Sequence, residues 1–284
     1  MLGIALGCSL LFSLWASSSA PQRPEQTRAL IRDPRLGALE SRLFQLTNAE
    51  RNEIGLPPLR LSSELAALAR RHSADMAARN ELSHISSSGE SLEDRLVGAR
   101  FYFSGGGENV ARSDTDAADL INRSLMASPE HRKNILAPDF DTLGIGAVLR
   151  QDGVFYVTED FIVRLVALDN EQANRQASLR IQEIRRGRSV PPLIWDRRAS
   201  ALAQEIAQAR AAGRDLPEIP RSSGELRVIL LVSPRFEDLK VHAREIGRPF
   251  YREGGLGVAF SRSRENPGGA YVIVMVLIPL RNVK

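Results

Sequence analysis

The sequence predicts an α+β protein made of two successive units of related fold. Three observations carry that reading. Helix-period runs lead into two strand-like runs, GIGAV and FYVTEDFIV, whose short RQDG connection predicts a hairpin. The length of 284 residues suits two ordinary domains. Segments of the first half also recur in the second half in the same order.

Met1 to Trp15 is uncharged and mostly apolar, and small residues follow, with Ser18 and Ala20 where a signal peptidase reads. Residues 1–20 are therefore a secretory signal, too short for a comfortable membrane span. Cys8 is the only cysteine, and SLLFSLW follows it, which argues against lipidation. Cleavage after Ala20 leaves a chain with no thiol, stabilised by packing and not by disulfides. Residues 21–37, rich in Pro, Arg and Gln, read as a leader arm. Leu36, Leu39, Leu43 and Leu46 then have helical spacing, and Gly55 with the two prolines of EIGLPPL ends that helix. Ser62 or Ser63 caps a second helix with Leu65, Leu68, Ala69, Met76 and Ala77 on its apolar side. Residues 81–107 are polar and Gly/Ser-rich and predict a loop, broken by an amphipathic turn at LEDRLVGA. A third helical run covers 114–127.

The first domain is thus assigned to 38–166, and the polar, helix-prone stretch ALDNEQANRQAS makes 167–177 the linker to a second domain, 178–284. In that second part VPPLIWDRRASALAQEIAQARAA repeats LPPLRLSSELAALARRHSADMAA at one offset, with Pro191 and Pro192 on Pro57 and Pro58, and Leu193 on Leu59. HAREIGRPFYREGGLG repeats HRKNILAPDFDTLGIG without a gap, placing His242 on His131, Tyr251 on Phe140, and Gly255 and Gly257 on Gly144 and Gly146. GEL at 224–226 echoes GEN at 107–109. The segment is read as a shortened, diverged copy. The loop matching the first histidine is deleted there, so His242 and Glu225 lack a partner and that half is expected to be structural.

Composition excludes some functions. Hydrophobic residues make up 43% and charged residues 25%, the balance of a packed protein. Net charge is +4, from 38 Lys and Arg against 34 Asp and Glu, with no long basic run of the kind a phosphate-tracking groove needs. Nucleic acid is not an expected partner. No G-x-S-x-G elbow, phosphate loop, HExxH or dinucleotide fingerprint occurs.

Four short motifs of the first unit carry the chemistry: LSHIS at 82–86, GENV at 107–110, SPEHRKNIL at 128–136, and GIG with YVTEDF behind it. They supply His84, Glu108 and His131. Two imidazoles and one carboxylate can hold a borderline metal such as zinc and leave a position open for water. The same groups without metal can shuttle a proton. Plainer readings stand beside these. His84 and Glu108 could simply be solvated loop groups, Glu108 and Asn109 could cap the next helix, and His131 could serve a local hydrogen-bond network. His72, near the apolar stripe of the second helix, reads as a packing or hydrogen-bonded residue and not a ligand.

The ordered set resembles the CAP superfamily (SCP-like extracellular domain) in its bacterial branch, over residues 38–166; HSADMAA and SLEDRL look like that branch too. The resemblance implies an α–β–α sandwich, and a surface cleft where His84 and His131 face Glu108. It also implies His84, His131 and Glu108 as the metal set, for zinc or another divalent ion. Two departures matter. Much of the family carries a second glutamate on the helix before the second histidine. In this chain Ser128 takes that place with Glu130 adjacent, and both remain secondary cleft candidates. Leu125 stands where a tryptophan is common. The set is then a triad.

Three function classes follow. One is an exported binding or interaction module, secreted or periplasmic, whose cleft takes a metal, a lipid or an envelope-derived small molecule. Another is a metal-assisted or acid/base hydrolase acting on peptide or cell-envelope polymers. The third is a scaffold engaging another exported protein. No cysteine nucleophile, no serine in a nucleophile motif and no second carboxylate are present, so the first class is favoured and no catalytic residue is assigned.

Overall fold

In the computed structural model the chain is described over residues 33–218 and 226–280. The signal segment 1–20, most of the leader arm and Glu225 lie outside the described residues.

Helix α1 runs from Pro34 to Glu53. Asp33 caps it by accepting from the Arg35 amide, and proline stands at its first position, where its missing N–H costs nothing. The helix therefore begins inside the expected leader arm. After the two-residue strand β1, Arg60–Leu61, Ser62 caps α2, Ser63–Arg79, by accepting from the Leu65 amide. Asn80, in the left-handed region at φ 54°, ends it. Helix α3, Leu92–Gly98, is closed by a Ser91–Asp94 capping box. Strand β2, Phe103–Ser113, leads to α4, Ala118–Ala127, and α5, Pro129–Ile135. Strands β3, Thr142–Leu149, and β4, Phe155–Arg164, complete the unit as the expected hairpin.

The sheet order is β1-β3-β4-β2, with β1 parallel to β3 and the other pairs antiparallel. Alternation along β4 sends Phe155, Val157 and Phe161 into a core with α1, α4 and α5. Tyr156 and Ile162 face α2 and α3 from the other side. This is the three-layer sandwich. The expected loop over 81–107 is corrected at its end: residues 103–107 are strand. SGGGEN is extended because β2 pairs with β4 from Gly105 to Ser113, which small residues permit at a sheet edge.

The second unit repeats this plan. It consists of α6, Asn170–Gly187; β5, Ile194–Trp195; α7, Arg197–Ala211; β6, Arg227–Ser233; a 3-10 turn, Phe236–His242; α8, Ala243–Ile246; β7, Tyr251–Ser261; and β8, Ala270–Pro279. Its sheet order, β5-β7-β8-β6, matches the first strand for strand. Residues 170–177 are therefore not linker. They are the first turns of α6, capped by an Asp169–Gln172 box, with Ala173 and Ala177 buried in the second core. Small residues on the inward stripe of a polar helix disguised it.

Two constraints recur in both units. A side chain on Gly144 or Gly146 would collide with the backbone of α2, its Cβ 2.4 Å from Leu65 C and 2.0 Å from Arg70 N. Gly255 and Gly257 meet α7 at Ala199 C and Gln204 N in the same way, at 2.0 and 2.2 Å. Each GxG thus lets a helix lie directly on a strand. On the opposite face, fully buried Arg51 donates to the carbonyls of Pro57, Ile135, Ala137 and Phe140, at 2.7–3.2 Å. Arg185 does the same for Pro191, Ile246, Arg248 and Tyr251. The units touch where Phe103 N donates to Gly268 O at 3.1 Å and Tyr271 Oη to Val166 O at 2.6 Å.

Gly146→Ala is expected to lower the midpoint of thermal unfolding, at a cost of about 1–3 kcal/mol for a forced backbone shift. Gly37→Ala in α1, where a Cβ meets nothing within 4 Å, is expected to leave it unchanged or raise it. Equal midpoints for the two variants would contradict the contact.

Candidate functional site

The site forms along β2, the edge strand of the first sheet. Successive side chains of a strand point to opposite faces. A Cβ on Gly106 would face Leu92 and Leu96 of α3, whereas one on Gly107 would meet Asn134 and Phe140 on the α5 side. Glu108 therefore turns toward α2 and α3, and Asn109 toward α5. Glu108 and Asn109 belong to a strand and do not cap a helix.

Glu108 is nearly buried, with its side chain 4% exposed, and both oxygens are engaged. Oε1 lies 2.8 Å from His84 Nδ1. Oε2 accepts from Arg95 Nη2 and stands 3.7 Å from His72 Nε2, too far for a hydrogen bond. Arg95 also donates through Nη1 to the carbonyls of His84 and Glu90 at 3.1 and 3.2 Å. It thus ties the loop carrying His84 to the carboxylate that His84 meets. Further bonds pin that loop to α2: Ser87 N donates to Asp75 Oδ2 at 3.0 Å and Arg79 to Ile85 O at 2.9 Å. His84 itself is 58% exposed. Its carboxylate partner raises its pKa above 6.5, with burial opposing.

On the α5 side the two asparagines of the GEN and HRKN motifs lock together. Asn134 Nδ2 donates to Asn109 Oδ1 at 2.9 Å and to Glu108 O at 3.1 Å, while Asn109 Nδ2 reaches His131 O at 3.2 Å. These bonds hold α5, and with it His131, against the edge strand. His131 is half-buried. Burial first, and then the charge of nearby His84, lower its pKa. Ser128 joins α4 to α5 and its hydroxyl makes no capping bond; Glu130 is exposed. Leu125 is part of the core.

Four further groups belong to this network and carried no functional reading in the sequence. Arg95 lay in an amphipathic turn. His72 is buried and donates to Ser83 O at 2.8 Å, the hydrogen-bonded role expected for it, yet it also stands beside Glu108; burial lowers its pKa. The adjacent Glu159 and Asp160 of β4, both fully buried, take opposite faces, with Asp160 registered against Glu108 and Glu159 against Asn109. Burial raises Glu159 to about 7, against the Asn109 hydrogen bond, and it holds Asp160 well above the usual carboxylate range with the help of the Glu108 charge. The ED pair in YVTEDF, polar inside an apolar run, was the signal available.

Glu108 is committed to Arg95 and His84, and among the described residues no group of three or more His, Cys, Asp or Glu side chains stands ready to hold an ion. What the geometry retains is a carboxylate behind His84 Nδ1, which leaves Nε2 as the outward nitrogen. In the second unit His242 ends a 3-10 turn.

Fold and site together define an α–β–α domain with a histidine–carboxylate edge. Residues 44–161 match the CAP family, described as the cysteine-rich secretory protein family. The uncharacterized protein YkwD of Bacillus subtilis (strain 168) is 35% identical over 133 residues, 46% of this chain and 51% of that protein. An extracellular SCP-domain protein from Bacillus anthracis str. Ames is 30% identical with a TM-score of 0.41, over 51% of this chain and 45% of that one. The chain spans about half the length of these two relatives. The crystal structure of Na-ASP-1, 8% identical with a TM-score of 0.50, aligns over 84% of this chain and 89% of its own, a likeness of fold alone across both units. The first unit is a bacterial CAP/SCP-like domain.

Because the folded pKa of His84 is raised, its bond to Glu108 contributes stability that is fully present below the unfolded value near 6.5. That contribution is lost as pH rises through the folded value. A proton-NMR titration of the imidazoles is expected to place His84 above 6.5 and to return it toward 6.5 in Glu108→Gln. No change in that variant would remove the carboxylate as the cause.

Proposed function

We propose that the protein is an extracytoplasmic CAP-domain binding module that takes its ligand at His84 Nε2 and the imidazole of His131. The observation that carries this is the commitment of Glu108: one oxygen on His84 Nδ1, the other on Arg95. A carboxylate so engaged orients an imidazole and is not free to act as a separate acid, base or nucleophile. Glu159 and Asp160 have the raised pKa values that acid catalysis uses, but both are fully buried and neither reaches a substrate. Binding fits these constraints better than hydrolysis.

Two ligand classes suit the cleft, a divalent ion with part of its shell left to water and an organic envelope-derived ligand or lipid. The first is supported by the Glu108–His84 contact, since a carboxylate behind Nδ1 fixes the tautomer and basicity that a ligating imidazole needs. The ion would rest on His84 and His131, with Glu108 behind them. The signal-like composition of residues 1–20 supports an extracytoplasmic site. The reading also takes the second unit as a duplicated copy that has kept the scaffold without the cleft, supported by the matching strand orders.

Zinc titrated into the mature protein is expected to shift the ring signals of His84 and His131 together and to leave His242 unmoved. His84→Ala or His131→Ala should abolish the effect, and Glu108→Gln should weaken it about 10–100-fold. Binding should fade as pH falls through the raised value of His84, above 6.5, where that imidazole protonates. Normal binding in both histidine variants, or no shift at millimolar zinc, would leave the organic ligand as the occupant. For export, mass analysis of protein from its native host is expected to give a mature start near Pro21 without lipid; an uncleaved cytoplasmic form would contradict it.

A further inference from the structure

The frames of the two units correspond residue by residue where α6 meets β5. Gln182 exchanges two hydrogen bonds with Leu193, at 3.0 and 3.1 Å, as Asn48 does with Leu59, at 2.8 and 3.2 Å. Arg185 takes the Pro191 carbonyl as Arg51 takes that of Pro57. In every case the two positions lie 134 residues apart. By the same offset Ser178 of α6 stands where the first unit has Phe44, and Trp195 of β5 where it has Leu61.

That exchange changes what the shared frame encloses. Phe44 packs its ring against the first core. Ser178 brings only a hydroxyl, which accepts from Trp195 Nε1 at 3.0 Å. Both residues of that pair line a cavity of about 430 Å³, whose walls also include Leu179 of α6, Ser200 of α7 and Leu256 of β7. The cavity belongs wholly to the second unit and shares no residue with the cleft of His84 and His131.

The wall is predominantly apolar. Its two charged residues, Glu171 and Arg175, are one helical turn apart and pair with each other, so the lining offers no uncompensated charge. The indole N–H, the ring's one donor, is already taken by Ser178. A charged ligand would lose its hydration here without gaining a partner, whereas an apolar one gains burial. Trp195 is the aromatic residue of the lining. An aromatic ligand meets it favourably whether the indole presents its face or its edge, because offset-stacked and edge-to-face pairs both gain beyond the area they bury. Leu179 lines the cavity and is 61% exposed, apolar surface that such a ligand would cover. The volume lies within the roughly 300–1,000 Å³ of small-molecule sites. We propose that this cavity binds a small, neutral aromatic ligand against Trp195, a site made possible by serine at position 178.

Residues 21–284 hold a single tryptophan, so the indole N–H of Trp195 gives one signal in nitrogen-15 NMR of the mature chain. Naphthol serves as the neutral aromatic probe, naphthoate as its anionic counterpart, and octanol as an apolar chain without a ring. A saturable shift of the Trp195 signal with naphthol is expected, with binding weaker by about tenfold or more for the other two. Ser178→Phe restores the residue that the first unit carries at this place and should abolish binding. Leu179→Glu puts a charge into the wall at an exposed helical position and should weaken binding about tenfold or more. His131→Ala, a cleft variant, should leave it intact. The proposal is overturned if naphthol gives no saturable shift, if naphthoate or octanol binds as tightly, if either cavity variant binds as the parent does, or if His131→Ala abolishes the response.

Discussion

The contact of helix backbone with strand backbone, α2 on β3, is the constraint from which the first unit is built. Gly144 and Gly146 remove the two side chains that would hold the layers apart, and the helix settles where any Cβ would overlap it. Everything α2 carries is then fixed in height above the sheet. His72 comes to 3.7 Å from Glu108 because of it, and Asp75 and Arg79 hold the backbone on either side of Ser86, keeping the His84 loop in place. On the other face Arg51 plays the matching part. Its guanidinium gathers three carbonyls of the turn between α5 and β3 and that of Pro57 after α1, replacing the water those groups lose. His131 inherits its position from that turn and from the paired asparagines.

Between the two faces runs a strand that divides its neighbours by parity. Glu108 and Asn109 are adjacent in sequence but serve opposite layers, and Asp160 and Glu159 answer them across the register. The polar groups of the site are therefore not a cluster added to the surface. They are the points where both cores give way to charge at the edge of one sheet. Burial first, and then the charge of neighbouring Glu108, push Asp160 toward its neutral form, while Glu108 accepts from Arg95.

The second unit separates scaffold from site. It keeps the glycines, the buried arginine and the strand order, since without them the helix would not seat and the turn would not close. It has no histidine loop after its strand-seated helix and no pair to Glu108–Arg95 among the described residues. Those features are optional to the fold, which is why the first unit's use of them points to function.

The helices and the β3–β4 hairpin were legible in the sequence, as were the recurring segments of the two halves, and His84, Glu108 and His131 were singled out there as site candidates. Each rests on local signals: apolar period, capping residues, turn residues and short motifs. Three things were not. The glycine-rich run before Glu108 looked like loop, because only pairing with β4 makes it strand. The start of α6 looked like linker, because alanines signal burial weakly until a core closes over them. Arg95, His72 and Asp160 looked ordinary, because their importance lies in converging on one carboxylate from three elements. Sequence determined which local elements form and which residues have site chemistry. Tertiary structure alone decided that Glu108 is committed to Arg95 and His84, since burial and a contact between distant segments set the partner of a charge.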